Sequence, residues 1–245
     1  MISNTIALWR EIADAVGMLG FAVAGLIACE GRRIDPVGVF VAVFTTAFGG
    51  GILRDLMLDL RPFYWMSHTE WIWATLALTV FARGFLGHIK KHHLQSLYNF
   101  ADAVGLAFFS VGSCATALTL GQAGIVSVLI GVATGVFGGL MRDVFCDRLP
   151  AVLSDKRPYA AAAFIGCSAY VLFARLPLEG FTELWLWLCC AMVIGIRFLG
   201  IKWKSLRIAY ADQREDEASP LTSRTPSESG ESSKTSEEAS KPAGR

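Results

Sequence analysis

The chain is short of charge. Asp, Glu, Lys and Arg make up 18% of its 245 residues, against 53% hydrophobic, where soluble domains carry about a quarter charged. Much of that charge lies late, because residues 212–245 are rich in Ser and Glu and contain no aromatic side chain, so the first 208 residues are more apolar than the average. The six cysteines include no CxxC pair and most lie inside apolar runs, which excludes a disulfide framework or zinc site and reads them as small hydrophobes. Four histidines form no Cys/His cluster, so no metal or other cofactor is expected. A net charge of +1 supplies no basic field, and nucleic acid is excluded as a partner. The sequence has no HExxH, Gly-x-Ser-x-Gly or Gly-x-Gly-Asp, and the chain does not read as an enzyme.

What is present is a series of apolar runs. A membrane helix takes about 20 mostly apolar residues, and seven stretches meet or approach that length: about 12–29, 36–53, 71–89, 94–120, 122–141, 159–174 and 184–201. Arg83 and Arg197 interrupt the third and seventh, which is tolerable where an arginine snorkels to the interface. The expected fold is therefore an all-α integral membrane protein of seven helices. Leu26 to Cys29 resembles a lipoprotein cleavage box, but Asp14 would fall inside the apolar core of such a signal. Counting Lys and Arg in the short loops puts thirteen on one side and four (Arg10, Arg54, Arg61 and Arg175) on the other. The richer side should be cytoplasmic, with the N terminus outside, the C terminus inside, and the tail cytoplasmic and disordered.

The chain also repeats itself. Asp14-Ala15-Val16-Gly17 recurs as Asp102-Ala103-Val104-Gly105, and Gly50-Gly51-Ile52-Leu53-Arg54-Asp55 recurs as Gly138-Gly139-Leu140-Met141-Arg142-Asp143, both at an offset of 88. Asp59 and Pro62 match Asp147 and Pro150 at the same offset. Each unit holds three spans, an odd number, so the second copy enters the bilayer from the opposite side and the halves are inverted, an arrangement recurrent in transport proteins. The organisation expected is a first three-helix repeat (1–93), a second inverted one (94–182), a seventh helix (183–208) and a tail (209–245).

The repeated residues are the candidate site. Gly49, Gly50 and Gly51 fall about 20 Å into the second span at 1.5 Å per residue. Together with Gly138 and Gly139 they permit either a helix break lining an aqueous path or close helix packing of the kind that Gly131, Gly135 and Gly139 suggest. Arg54-Asp55 and Arg142-Asp143 follow. Adjacent residues on a helix do not face one another, so each arginine should find a carboxylate elsewhere, and the inverted symmetry offers one in the other half. The spacing of Asp55 with Asp59, and of Asp143 with Asp147, places two carboxylates on one helix face per repeat, where they would attract cations. Asp14 and Asp102 near the starts of spans one and four read as N-terminal caps or as charges facing a cavity.

On these segments, with Phe21 to Gly25 and Asp35-Pro36-Val37-Gly38, the chain resembles the prokaryotic trimeric intracellular cation (TRIC) channels, also described as bacterial glycine-transporter-like proteins. The resemblance covers about residues 10–207. It implies seven helices in two inverted repeats plus one, a homotrimer in the plasma membrane with one monovalent-cation pathway (potassium or sodium) per protomer, and helices broken at the glycine motifs. The animal members' Lys-Glu-Val tripeptide is absent, so their lipid regulation is not implied. A secondary transporter for a small metabolite such as glycine would use the same architecture.

Overall fold

The computed structural model describes residues 2–32, 34–86, 90–154, 158–175 and 182–218. Among them the chain forms helices α1 (Ile2–Ala28), α2 (Pro36–Met57), α3 (Tyr64–Ser67), α4 (Glu70–Leu86), α5 (Lys91–Thr119), α6 (Gly124–Phe145), α7 (Ala151–Ser154), α8 (Ala160–Phe173) and α9 (Thr182–Ala218), and no strand. Among the described residues five stretches are long and apolar enough to cross a membrane: Leu8–Ala28, Pro36–Met57, Lys91–Thr119, Gly124–Phe145 and Glu183–Lys202. Two shorter apolar stretches, Glu70–Ala82 and Ala160–Phe173, coincide with the third and sixth expected spans. Residues Met1–Lys204 form one compact unit and Ser205–Arg245 a second. In the second, helix continues to Ala218, past the boundary expected at 208. The Ala, Gln, Arg and Glu of 209–218 are good helix formers, and Pro220 follows. The remainder of the expected disordered tail, 219–245, lies outside the described residues.

Local chemistry sets the helix ends. Asp35 caps α2, its Oδ1 accepting from the Gly38 N–H at 3.0 Å with Pro36 at the first helical position. At the other end Asp59 takes the left-handed conformation (φ 51°), the Leu60 N–H donates to the Asp55 carbonyl at 2.8 Å and the Asp59 N–H to the Leu56 carbonyl. This is a Schellman termination with aspartate, one of the few residues besides glycine that visits that region routinely. The end of α6 repeats it: Asp147 has φ 49°, Arg148 donates to the Asp143 carbonyl at 2.8 Å and Asp147 to Val144.

The packing is inside-out relative to a soluble protein. Thr46, Thr134, Ser110 and Ser113 are fully buried, while Val37, Trp73, Phe81, Ile125 and Leu129 lie exposed, as a lipid-facing exterior requires. Three buried hydroxyls satisfy themselves on their own helix: Thr46 donates to Ala42, Ser110 to Leu106 and Thr116 to Gly112. At the centre α1 packs along α5 and α2 along α6, with α5 against α6 and α8 covering both.

Two of these crossings are self-complementary. A methyl group on Gly50 would collide with the Thr134 carbonyl oxygen, and one on Gly138 would lie 2.7 Å from the Thr46 carbonyl oxygen. Gly17 accommodates Phe109 and Gly105 accommodates Phe21, and the two phenyl rings stack at 5.5 Å. Adding 88 to one member of each pair and subtracting it from the other converts one contact into its twin. Close packing is therefore what Gly50, Gly138, Gly17 and Gly105 provide, and the expected helix breaks are absent: α2 is helical without interruption through Gly49, Gly50 and Gly51, and α6 through Gly138 and Gly139. At Gly50 and Gly138 the backbone of one helix is pressed against that of the other.

Candidate functional site

Each of the paired glycine helices ends in a buried ion cluster. In the first, Arg54 is 1% exposed. It donates through Nη1 to Asp14 Oδ1 at 2.5 Å, through Nη2 to Asp14 Oδ2 at 3.0 Å and through Nε to Asp55 Oδ1 at 2.9 Å. The second Asp55 oxygen accepts from the Tyr64 N–H at 3.0 Å, anchoring the short helix α3 to the end of α2. Arg10, one turn before Asp14, stands at 3.8 Å from Asp14 and 3.7 Å from Asp55 with its side chain 31% exposed. Burial, then the Asp14 charge, raises the Tyr64 phenol above its ordinary pKa, so it stays protonated beside the cluster.

The second cluster is built the same way. Arg142 donates to Asp102 Oδ1 at 2.5 Å and to Asp143 Oδ1 at 2.9 Å, and the other Asp143 oxygen accepts from the Ala151 N–H at 2.8 Å, holding α7. The second arginine differs in origin. Arg197 of α9 donates to Asp102 Oδ2 at 2.7 Å, its guanidinium lying over the Tyr159 ring, whose hydroxyl donates to Asp102. The residue at the offset of 88 from Arg10 is Tyr98, whose ring lies beneath Arg142. Each cluster thus holds two arginines and two aspartates, a formally neutral set, as burial away from water demands.

The two clusters differ in free space. A small cleft, with room for about one water molecule, opens beside Asp14, Gly51, Arg54, Asp55, Tyr64 and Trp65, and a methyl group on Gly51 would meet only Phe109 at 3.8 Å. At the equivalent Gly139 the Tyr159 hydroxyl occupies that position.

Several sequence expectations change. The partners of Arg54 and Arg142 lie in their own repeats, Asp14 and Asp102, not in the other half. The adjacent Asp55 and Asp143 are also direct partners, because the long guanidinium arm folds back across its own turn. Asp14 and Asp102 are not caps: α1 and α5 begin about three turns earlier, and both acids are arginine partners. Asp59 and Asp147 share no helix face with Asp55 and Asp143, since each follows its helix end, and the Asp59 side chain is 93% exposed. Arg10, Tyr64, Tyr98, Tyr159 and Arg197 were not singled out as site residues by the sequence, although Arg197 did stand out as a charge interrupting an apolar run.

A family model described as glycine transporter matches the chain twice, over residues 11–87 and 99–175, the second match displaced by 88 from the first. The UPF0126 inner membrane protein YadS of Escherichia coli strain K12 is 35% identical over 198 residues, covering 78% of this chain and 90% of its own. A UPF0126 membrane protein of Vibrio cholerae is 34% identical over 158 residues, covering 63% of this chain and 64% of its own. Among solved structures, the TRIC trimeric intracellular cation channel orthologue of Rhodobacter sphaeroides is 30% identical with a TM-score of 0.73, over 80% of this chain and 98% of that one.

Proposed function

The chain belongs to the glycine transporter family, and we propose that within it this protein is a channel for monovalent cations, potassium or sodium. It acts as a homotrimer with one pathway in each protomer of the inner membrane. The single observation that carries the reading is the pair of buried Arg–Asp clusters at the ends of the self-complementary α2–α6 crossing. Carboxylates buried in helices that span a membrane are costly and belong to ion paths or ion partners. Here the Arg54 and Arg142 guanidinium groups occupy them, which describes a blocked conformation. Conduction requires those cations to be exchanged for a permeating one.

The architecture proposed is seven spans, in two inverted repeats (1–93 and 94–182) and a seventh helix. The paired contacts Gly50–Thr134 with Gly138–Thr46, and Gly17–Phe109 with Gly105–Phe21, support a pseudo-two-fold axis, and three spans per repeat put that axis in the membrane plane. The named function of the Rhodobacter neighbour supports the channel reading. The proposed pathway runs beside Gly49–Gly51 and Gly138–Gly139, and conduction requires the contacts of Gly138 with Thr46 and of Gly139 with Tyr159 to open. The exposed Asp59 and Asp147 raise the cation concentration at its mouths. The thirteen-to-four count of basic residues supports an external N terminus and a cytoplasmic C terminus.

One observation favours a second reading, transport of glycine: the pocket by Gly51 offers both a guanidinium and carboxylates, the two charges a zwitterion needs. Purified protein in liposomes, assayed in parallel for potassium flux and labelled glycine uptake, separates them. A potassium current without saturable glycine uptake supports the channel; saturable uptake coupled to a gradient, with no current, replaces it with the transporter.

A further inference from the structure

Two cysteines lie together at the end of the molecule that holds the second cluster. Cys29 follows the last residue of α1, and Cys146 is the residue at which α6 terminates. Although 117 residues apart in sequence, their Sγ atoms are 3.6 Å apart and buried. The surroundings are cationic: Arg148 donates through Nη2 to the carbonyl of Ala28 at 3.2 Å, beside Cys29. The hydrogen bond from Cys29, opposed by burial and reinforced by the positive charges of Arg148, Arg142 and Arg32, brings the Cys146 thiol down to about 7. A substantial thiolate fraction is then present at neutral pH, and the thiolate is the reactive form. The other cysteines are differently placed. Those at 114, 167 and 190 direct their thiols to backbone carbonyls inside the helix bundle, and Cys189 is buried in α9.

We infer that Cys29 and Cys146 are a peroxide-reactive dithiol, a modification site that closes to a disulfide joining the end of α1 to the end of α6. Burial selects the oxidant class, because a small neutral hydroperoxide can reach sulfurs that a bulky disulfide cannot. The Cys146 thiolate attacks one oxygen of hydrogen peroxide, the O–O bond breaks, and the departing hydroxide takes a proton to leave as water, giving a sulfenic acid. The Cys29 sulfur, losing its proton, then attacks Cys146 Sγ. The S–O bond breaks, a second water leaves and the S–S bond forms. Two thiols are oxidised and one peroxide is reduced by two electrons. The sulfurs must approach by roughly 1.5 Å to reach bonding distance, a movement asked only of two helix ends. In a reducing compartment such a bond is transient, as sensing disulfides are. It would fasten α1 to the end of α6 that carries Arg142 and Asp143.

The test uses the full chain in liposomes, exposed to hydrogen peroxide, alkylated, digested and analysed by mass spectrometry, and so does not depend on what the protein transports. The expected result is a Cys29–Cys146 linked peptide, lighter by two hydrogens, while the other four cysteines remain alkylated. Cys29→Ser should abolish the link and leave Cys146 as a sulfenic acid, trapped by dimedone as the chain is unfolded; Cys146→Ser should abolish it and leave Cys29 unmodified. Cys29→Ala replaces the serine variant if that one fails to assemble, and the wild-type measurement needs neither. Denaturing the protein before the peroxide step should erase the preference for this pair. Wild-type protein in which both thiols stay alkylatable, or in which all six cysteines oxidise without preference, overturns the assignment.

Discussion

Arg197 reaches from α9 to Asp102 at 2.7 Å and supplies the second positive charge that the second repeat does not contain. In the first repeat that charge is Arg10, one turn from Asp14 on the same helix; at its equivalent position stands Tyr98. A neutral tyrosine there would leave one arginine facing two buried carboxylates, and the helix outside the repeat restores the balance. The match is unequal in quality. Arg197 is 5% exposed and closely bonded, whereas the Arg10 side chain is 31% exposed and nearly 4 Å from its partners.

The stabilities of two matched variants should therefore separate. Arg197→Gln leaves part of a buried carboxylate unpaired, which costs about 3–5 kcal/mol. Arg10→Gln removes a partly exposed, loosely held charge worth about 0–1 kcal/mol. Thermal unfolding in detergent measures both. Equal losses would mean that α9 docks through its apolar face and that the ion pair is incidental.

Removing the central arginines should follow the same logic. After Arg142→Ala, Arg197 still holds Asp102; after Arg54→Ala, only the loose Arg10 remains near Asp14 and Asp55. Both variants lose stability, each on the order of 3–5 kcal/mol, with the loss larger for Arg54→Ala. The reverse order would show that Arg10 closes on the acids in solution.

The equivalent glycines 51 and 139 should respond in opposite ways. Gly51→Ala adds a methyl in ordinary contact with Phe109 alone and favours the helix, so it is neutral or stabilising by up to about 1 kcal/mol. Gly139→Ala drives a methyl into the Tyr159 hydroxyl and costs about 1–3 kcal/mol, as overpacking does. Tyr159→Phe should recover part of that loss. A double-mutant cycle on Gly139 and Tyr159 gives the coupling directly, and zero coupling would place the hydroxyl elsewhere.

The spans, the duplicated motifs and the importance of Arg54, Arg142, Asp14 and Asp102 are legible in the sequence because apolar length and exact recurrence survive without coordinates. The partnerships are not. The rule that neighbours on a helix diverge describes Cβ directions, and it fails for Arg54 and Asp55 because a guanidinium on a three-carbon stem spans its own turn. The four-residue spacing of Asp55 and Asp59 suggests one face only while the helix continues, and Asp59 takes the left-handed conformation that ends it. A repeat alignment directs attention to matched positions, so the unmatched Arg10 and Tyr98, and Arg197 outside the repeat, carry no signal in it. The glycine motifs allowed both packing and a break, and the choice depended on the carbonyl oxygens of Thr134 and Thr46 in the facing helices.

Asp59 and Asp147 combine a left-handed backbone with an exposed position, and their two roles can be pulled apart. Asn keeps the tolerance for that conformation and removes the charge, so Asp59→Asn should unfold like wild type and lower potassium flux at low ionic strength. The deficit should fade as the Debye length contracts to about 8 Å at 0.15 M salt. Asp59→Val should instead lose about 1–2 kcal/mol of stability from backbone strain. A flux deficit in Asp59→Asn that does not change with salt would rule out local charge as its cause.

The exposure of Arg10 bears most directly on conduction. In the conformation seen here the first cluster is neutral, and a cation arriving at Asp14 and Asp55 meets two guanidinium groups already in place. Arg54 is enclosed and held by three hydrogen bonds, so the cheaper charge to displace is Arg10. Arg10→Gln leaves the cluster with a net charge of −1 beside a pocket that already opens next to Gly51. A partly exposed, loosely held charge of this kind is worth about 0–1 kcal/mol, or up to roughly a fivefold change. Potassium flux into liposomes should rise by a factor in that range, most at low salt, while Arg10→Lys stays near wild type because it keeps the charge. Flux from an assembled Arg10→Gln variant that equals wild type at every salt concentration would show that the path does not pass the first cluster. Absence of potassium flux from wild type would instead remove the channel reading itself.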